Sequence, residues 1–331
     1  MGSSATPLSP PAAEFLAAFR ARAGTGGTLP FADFMDLALY HPAAGYYRQT
    51  RARVGYAPGT DFFTASTSGP VFGELIVAAS VHLLAGQNLS DFTFVEIGAE
   101  PAGGVLNGVA HPFGATRTLR LSDPLTLTGP CIVFSNELFD AQPFRRFVRR
   151  DGAWLELGVT WRDAVFVETT LAASALPPAL PANAPEGYLL DAPFAAAALA
   201  ARIAAQPWRG LFLACDYGKS WAELSEATPA GTARAYYRHA QSNDLLARPG
   251  EQDLTCHLCW DWLAESLSRA GFDRPVLESQ EAFFIHYAGE FIATLTTAEA
   301  ARFSPKKLSL LQLLHPSHLG QKFQVLHAQR L

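Results

Sequence analysis

Apolar positions along this chain fall into two kinds of run. The first recurs every three to four residues and predicts helices. Residues 11–22 (PAAEFLAAFRAR) have this spacing and stop at Gly24, Gly26 and Gly27, and 29–40 (LPFADFMDLALY) form a second helix closed by Pro42 and Gly45. GPVFGELIVAASVHLLAG from Gly69, APFAAAALAARIAAQPW (192–208) and CHLCWDWLAESLSRAGF, stopped by Gly271, extend the set. The second kind is short and continuous, the pattern of strands buried on both faces of a parallel sheet. DFTFVEIG (91–98), CIVFSNELFD (131–140) and GLFLACDYG (210–218) have it, with TRTLRLS (116–122), FFIHYAG (283–289) and KFQVLHAQR (322–330) as further strand candidates. A hairpin is predicted in FRRFVRRDGAWLELGV, with Asp151-Gly152 as a type I′ turn. Residues 165–190 are Pro- and Ala-rich and poorly patterned.

Strand–helix alternation means a wound α/β protein with a mostly parallel sheet. The expected organisation is an N-terminal helical region over residues 1–90, then an α/β domain over 91–331 with a peripheral insertion at about 150–208.

Composition narrows the class. Hydrophobic residues make up 49% and charged residues 17%, which is a globular balance and not a disordered one. The net charge of −5, without a basic run, argues against nucleic-acid binding. No apolar stretch reaches the roughly 18 to 20 residues of a membrane helix, and MGSSATPLSPPAAEF lacks a signal pattern. A cytoplasmic protein is expected. Four cysteines in 331 residues are no disulfide framework. Cys131 and Cys215 lie in apolar runs, and Cys256-x-x-Cys259 lacks the further ligands zinc would need, so no metal site is expected.

In an open parallel sheet, ligands bind beyond the carboxyl ends of strands near the switch point. Three predicted strand ends carry acidic or amide groups: Glu96 with Gly98; Asn136 with Glu137 and Asp140; Asp216 with Tyr217 and Gly218. One acid at a strand end is usually a helix cap or dipole partner. Three together point to a site. A helical turn after Phe134 would set Glu137 and Asp140, three apart, on one face. Such a pair can hold a cation, coordinate a metal, or orient and deprotonate an amine-type nucleophile. Alternatively it caps the turn ahead of Pro143.

Ordered motifs carry a resemblance beyond these spacings. LALYHPAAGYY, DFFTASTSGPVFGELI, CIVFSNELFDAQPFRRF, ACDYGKSWAEL, GTARAYYRHAQSNDLLARPGEQDLTCHLCW, SQEAFFI and HLGQKFQVL follow one another along nearly the whole chain. Together they resemble the MidA-like S-adenosylmethionine-dependent methyltransferases, a family that includes an enzyme acting on a protein arginine. The resemblance implies a class I methyltransferase-like, Rossmann-like fold, S-adenosylmethionine as cofactor, and a protein substrate or partner. It sets Glu96, Gly98, Gly103, Gly104, Asp123, Phe62 and Thr64 toward the cofactor, and Asn136, Glu137 and Asp140 toward catalysis. Tyr46 and Tyr47 are either part of a lid or packing for the N-terminal helices. His239, Asp253, Thr255 and His257 match a family block without a role that their chemistry supplies; His257, His286 and His327 read as structural.

Departures gather in the cofactor half. The family's E-x-G-x-G-x-G is here Glu96-Ile97-Gly98-Ala99-Glu100-Pro101-Ala102, so two glycines are lost and Pro101 removes a donor. A turn shifted onto Gly103 and Gly104 would restore bare backbone. Residues 107–130 are too few for the usual two helices and two strands, so at least one helix–strand unit is missing or collapsed. Asp123 is then the one acid left to grip a ribose. The family's "SPE" is Ala65-Ser66-Thr67, and "HVDF" is His257-Leu258-Cys259-Trp260. Each lost contact costs about 1 to 3 kcal/mol. Two expectations therefore stand: an active methyltransferase, acting on a protein arginine, or a homologue impaired in cofactor binding that works as a binding or assembly protein. A remodelled pocket for another small ligand is a third.

Overall fold

The continuous apolar runs become the middle of a six-stranded sheet. The computed structural model describes residues 13–49, 53, 55, 60–61, 69–99, 103–120, 122–171, 175–300 and 304–331. They form two units: Met1–Phe62, Ala141–Ala196 and Lys219–Cys259 make one, and Phe63–Asp140, Ala197–Gly218 and Trp260–Leu331 make the other. The six-stranded sheet belongs to the second.

Across that sheet the order is Asp273–Ser279, Gln324–Arg330, Trp208–Asp216, Gly129–Asn136, Thr93–Ile97 and Ala115–Leu119. The last four run parallel, and the first two are antiparallel to their neighbours. After Thr93–Ile97 the chain adds Ala115–Leu119 on one side and Gly129–Asn136 on the other. That reversal is the switch point, where strand ends diverge and leave room for a ligand. Ile97 is level with both Leu119 and Ser135, and Asn136 with Cys215, so the carboxyl ends are gathered at one edge of the sheet. The expected α/β fold is present.

The shortened cofactor half is present too. The TRTLRLS segment does form a strand, Ala115–Leu119, but the described residues of 98–114 and 120–128 contain no helix. Four of that strand's five residues are exposed. The deficit is thus in covering helices more than in the strand itself.

Helix Pro70–Leu83 buries Val71, Phe72, Leu75 and Ile76 against Phe94, Ile132, Phe134 and Leu213. A side chain at Gly73 would collide with the Val105 carbonyl, so this glycine lets the helix press on the loop after Thr93–Ile97. FFIHYAG is helical, not a strand: it lies in Gln280–Ala298, capped by the Ser279 hydroxyl accepting from the Ala282 N–H at 3.2 Å. Its buried residues Phe283, Phe284 and Ala288 have helical spacing that a seven-residue window hides. Asp273–Ser279 is an unpredicted strand. Pro275 and three charges suit an edge, and its pairing is irregular between Asp273 and Val276. Arg330 donates to the carbonyls of Ala204, Gln206, Trp208 and Ala270 and fastens the final strand.

The first unit is built on an antiparallel sheet, in the order Thr28–Pro30, Ala153–Arg162, Arg145–Arg150 and Leu189–Ala192, with Val165–Thr170 also pairing to Ala153–Arg162. Asp151 (φ 50°) and Gly152 (φ 72°) make the expected type I′ hairpin turn. Residues 165–190 are more ordered than their composition suggests, since Val165–Thr170 contributes a strand whose Phe166 packs edge-on to Phe15, Phe19 and Phe34. The helix predicted across CHLCWDWLAESLSRAGF begins at Trp260, and Leu258–Cys259 is extended.

His257 lies half-buried in this unit, its backbone N–H donating to the Thr232 hydroxyl at 3.2 Å. Burial, then the charges of Lys219 and Arg234, push its imidazole down from 6.5 to about 4. A base with a lowered folded pKa binds fewer protons folded than unfolded between those values, so stability falls as pH drops from 6.5 toward 4. The loss at the acid end is about 3 kcal/mol. Urea denaturation at pH 7 and pH 4 should show a drop in His257→Phe smaller by that amount than in the unmodified protein. Equal drops would remove His257 as the cause.

Candidate functional site

Four parallel strand ends supply the candidate groups. Glu96, the penultimate residue of Thr93–Ile97, is 8% exposed. Its Oε2 accepts the Val105 N–H at 2.6 Å. The same oxygen would lie 2.5 Å from a Cβ on Gly104, with Thr118 Cγ2 at 2.8 Å on the other side. Glu96 therefore fixes the Gly103–Val105 turn against the strand end. Gly98 (φ 84°) and Gly103 (φ 135°) hold conformations that glycine permits, and a Cβ on Gly98 would meet Leu138 Cδ1 at 2.9 Å. Gly98 and Leu138 thereby join the two loops that flank the switch point.

Asp123 follows the exposed edge strand. Its Oδ2 accepts the Arg120 N–H at 2.8 Å, and its own N–H returns to the Arg120 carbonyl at 2.9 Å. This is a local turn, with the carboxylate engaged by its own loop.

The NELFD segment does not enter a helical turn after Phe134. The strand runs on to Asn136, and Glu137 then takes a left-handed conformation (φ 48°), its N–H donating to the Cys215 carbonyl at 2.9 Å. The pairing to Cys215 carries the strand past the point where apolar periodicity ends. Glu137 Oε1 accepts from Asn136 Nδ2 at 3.0 Å. Asp140 is 3% exposed and accepts from the Tyr217 hydroxyl.

Asp216 ends the neighbouring strand and has no exposed surface. Its Oδ2 accepts from the N–H groups of Phe139 (3.0 Å) and Asp140 (3.4 Å), and its Oδ1 from Tyr217 N–H at 2.9 Å. Burial, then the charge of Asp140, push its carboxyl well above the ordinary range, and Glu137 adds to this against the pull of the Tyr217 and Phe139 N–H groups. Burial likewise pushes the Cys215 thiol up, which makes it a poor nucleophile.

The structure thus brings together Glu96, Gly98, Gly103 and Gly104 around one turn, and Asn136, Glu137 and Asp140 around the next. Asp216 and Tyr217, singled out in sequence as a strand end, are the groups that hold the second turn. Gly73 gives no signal of its own in the sequence, because the FGE segment reads equally well as plain helix. Glu100–Ala102, Phe62, Thr64 and Ala65–Thr67 lie outside the described residues. Among the described residues no group of three or more His, Cys, Asp or Glu side chains is placed to hold a metal ion, and no helix is long and apolar enough to cross a membrane.

The geometry fits a small cofactor that approaches bare backbone. Three glycines line the turn at the switch point, with the turn pinned from behind by Glu96. The edge-strand side offers less, since Asp123 is bound to its own loop.

Residues 117–277 match the model of a family described as "Putative S-adenosyl-L-methionine-dependent methyltransferase". Among solved structures, the chain is similar to a protein from Burkholderia thailandensis described as a "likely methyl transferase" and bound to S-adenosyl-homocysteine. That match has 25% identity and a TM-score of 0.84, and it covers 96% of this chain and 92% of the other. A native crystal structure of an uncharacterized protein from the same organism matches at 25% identity and a TM-score of 0.78, over 96% and 91% of the two chains. No curated protein matches. Residues 117–277 thus resemble this family, and nearly the whole length of the chain is similar in fold to the two Burkholderia thailandensis proteins.

Proposed function

We propose that this chain transfers a methyl group from S-adenosylmethionine to a nitrogen of an arginine in a protein partner. One observation carries the reading: Glu137 follows directly on the end of Gly129–Asn136, its neighbour Leu138 packs on Gly98 of the glycine turn, and the Asp140 and Asp216 carboxyls lie close by. When bound, S-adenosylmethionine supplies a methyl group on a sulfonium, which a nitrogen lone pair displaces in line to leave a neutral thioether.

The chain's own residues then have three tasks. Gly98, Gly103 and Gly104 allow close approach of backbone to the cofactor, and Glu96 keeps their turn in place. Phe62, Thr64 and Asp123 complete the proposed cofactor set through the resemblance, Asp123 after leaving the Arg120 N–H. Asn136 orients Glu137 by donating to Oε1. A guanidinium stays protonated to beyond about pH 12, so its nitrogen needs a carboxylate to orient it and take its proton. We assign that task to Glu137, and the neighbouring acids favour a cationic acceptor. Alignment and fixed charge then supply most of the rate.

Calorimetric titration with S-adenosylmethionine and S-adenosylhomocysteine is the test of the cofactor half. Binding at roughly tens of micromolar or tighter is expected. No heat and no thermal shift at millimolar ligand would sink the enzyme reading and leave a homologue kept for what it binds. Incubation with arginine-bearing protein and methyl-labelled cofactor, followed by amino-acid analysis, tests the acceptor. Label recovered on another residue type would overturn arginine alone.

A further inference from the structure

We propose that Asp216 is a positioning residue, which holds the Glu137 carboxylate in place for the acceptor nitrogen; the role rests on the methyl-transfer reading above. Residues 137–140 belong to no helix or strand, yet each is tied. The Glu137 N–H donates to the Cys215 carbonyl at 2.9 Å, and Leu138 packs on Gly98. Asp216 Oδ2 takes the N–H groups of Phe139 and Asp140 at 3.0 and 3.4 Å, and Tyr217 donates to Asp140 Oδ2. Phe139 is fully buried and faces Phe212.

These ties matter because Glu137 sits at φ 48°. A residue with a Cβ enters the left-handed region at a cost, and such a conformation persists where its surroundings over-determine it. Strain of this kind gathers at working sites, and here it falls on the residue assigned to the acceptor. Asp216 contributes two of the turn's backbone contacts with one oxygen. Its other oxygen, bound to Tyr217 N–H, orders the residue whose hydroxyl holds Asp140.

A filler would not need to be an acid. A buried carboxyl beside Asp140 is costly, and an apolar residue of similar size would pack the space more cheaply. What the acid adds is a fixed acceptor for three N–H groups at the foot of the Glu137 turn.

The experiment compares the full chain with Asp216→Ala, Asp216→Asn and Tyr217→Phe. Amide hydrogen exchange in Asp216→Ala should rise about tenfold or more at Glu137, Phe139 and Asp140, with Ile132, Val133 and Phe134 unchanged. On an arginine-bearing protein substrate, kcat should fall about a hundredfold, while the S-adenosylhomocysteine dissociation constant stays within about threefold. Asp216→Asn keeps one acceptor oxygen and should recover at least part of the lost kcat. Tyr217→Phe, which frees one side of Asp140, should give a smaller loss than Asp216→Ala. Unchanged exchange at residues 137–140 would overturn the proposal. So would local opening with kcat unaffected, or cofactor affinity lost in parallel with kcat. An unmodified protein that binds no cofactor sinks the methyl-transfer reading instead, and the exchange data still decide whether Asp216 holds the turn.

Discussion

Replacing Glu137 with glycine is expected to abolish methyl transfer and leave the protein at least as stable as before. Most active-site truncations remove a contact and cost stability, or are neutral. Here the backbone changes the sign. Glu137 is left-handed at φ 48°, which costs a side-chain-bearing residue about 1 to 2 kcal/mol. Glycine removes that cost and gives back about 0.4 to 1 kcal/mol through its freer unfolded chain. The difference is about zero to 1.6 kcal/mol in favour of the variant. The loss of a positioned proton acceptor acts the other way on rate, by about 100- to 10,000-fold. Glu137→Gln keeps the side chain's length and should lose rate without the gain in stability. Urea denaturation and single-turnover methyl transfer give the two numbers. A glycine variant that is less stable by 1 kcal/mol or more, or one that keeps its rate, contradicts this account of the site.

How much of this was legible in the sequence follows from where each signal lives. The switch-point strands were legible because burial on both faces makes CIVF and LFLAC continuous apolar runs, and leaves Glu96 as the one charge in FTFVEI. The Asp151-Gly152 hairpin was legible because its turn demands two positive φ angles, which that dipeptide tolerates. FFIHYAG reads as a strand because a helix buried on one broad face looks, over seven residues, like one. DRPVLES carries no strand signal because an edge strand need not be apolar. At the site, the acids were visible as residue types at strand ends, and their geometry was not. A helical turn after Phe134 would put Glu137 and Asp140 on one face. It fails because the Cys215 carbonyl, more than seventy residues away in sequence, captures the Glu137 N–H. Likewise, Gly98, Gly103 and Gly104 are visible in the sequence as residue types, but the hydrogen bond by which the Val105 N–H ties their turn to Glu96 is not. Glu96 faces the backbone of its own loop.

That inward-facing carboxylate makes Gly104→Ala the second large expected effect. Gly104 is not in a left-handed conformation, so alanine meets no backbone strain there. The obstacle is space. The new Cβ would lie 2.5 Å from Glu96 Oε2 and 2.8 Å from Thr118 Cγ2. Something must yield, and the carboxylate is pinned by the Val105 N–H at 2.6 Å. If Glu96 swings away, a buried acid and a backbone donor both lose their partner, at about 1 to 3 kcal/mol apiece. If the turn lifts instead, the backbone that should meet the cofactor is displaced. Either route should weaken S-adenosylhomocysteine binding by about a hundredfold and lower the melting temperature. The double variant Glu96→Ala with Gly104→Ala separates clash from other causes. With the carboxylate gone, Gly104→Ala should cost far less than it does alone, the signature of two residues sharing one space. Additive losses in that cycle would mean the turn fails for a reason other than the Glu96 contact. Unchanged affinity in Gly104→Ala alone would place the cofactor elsewhere than this turn.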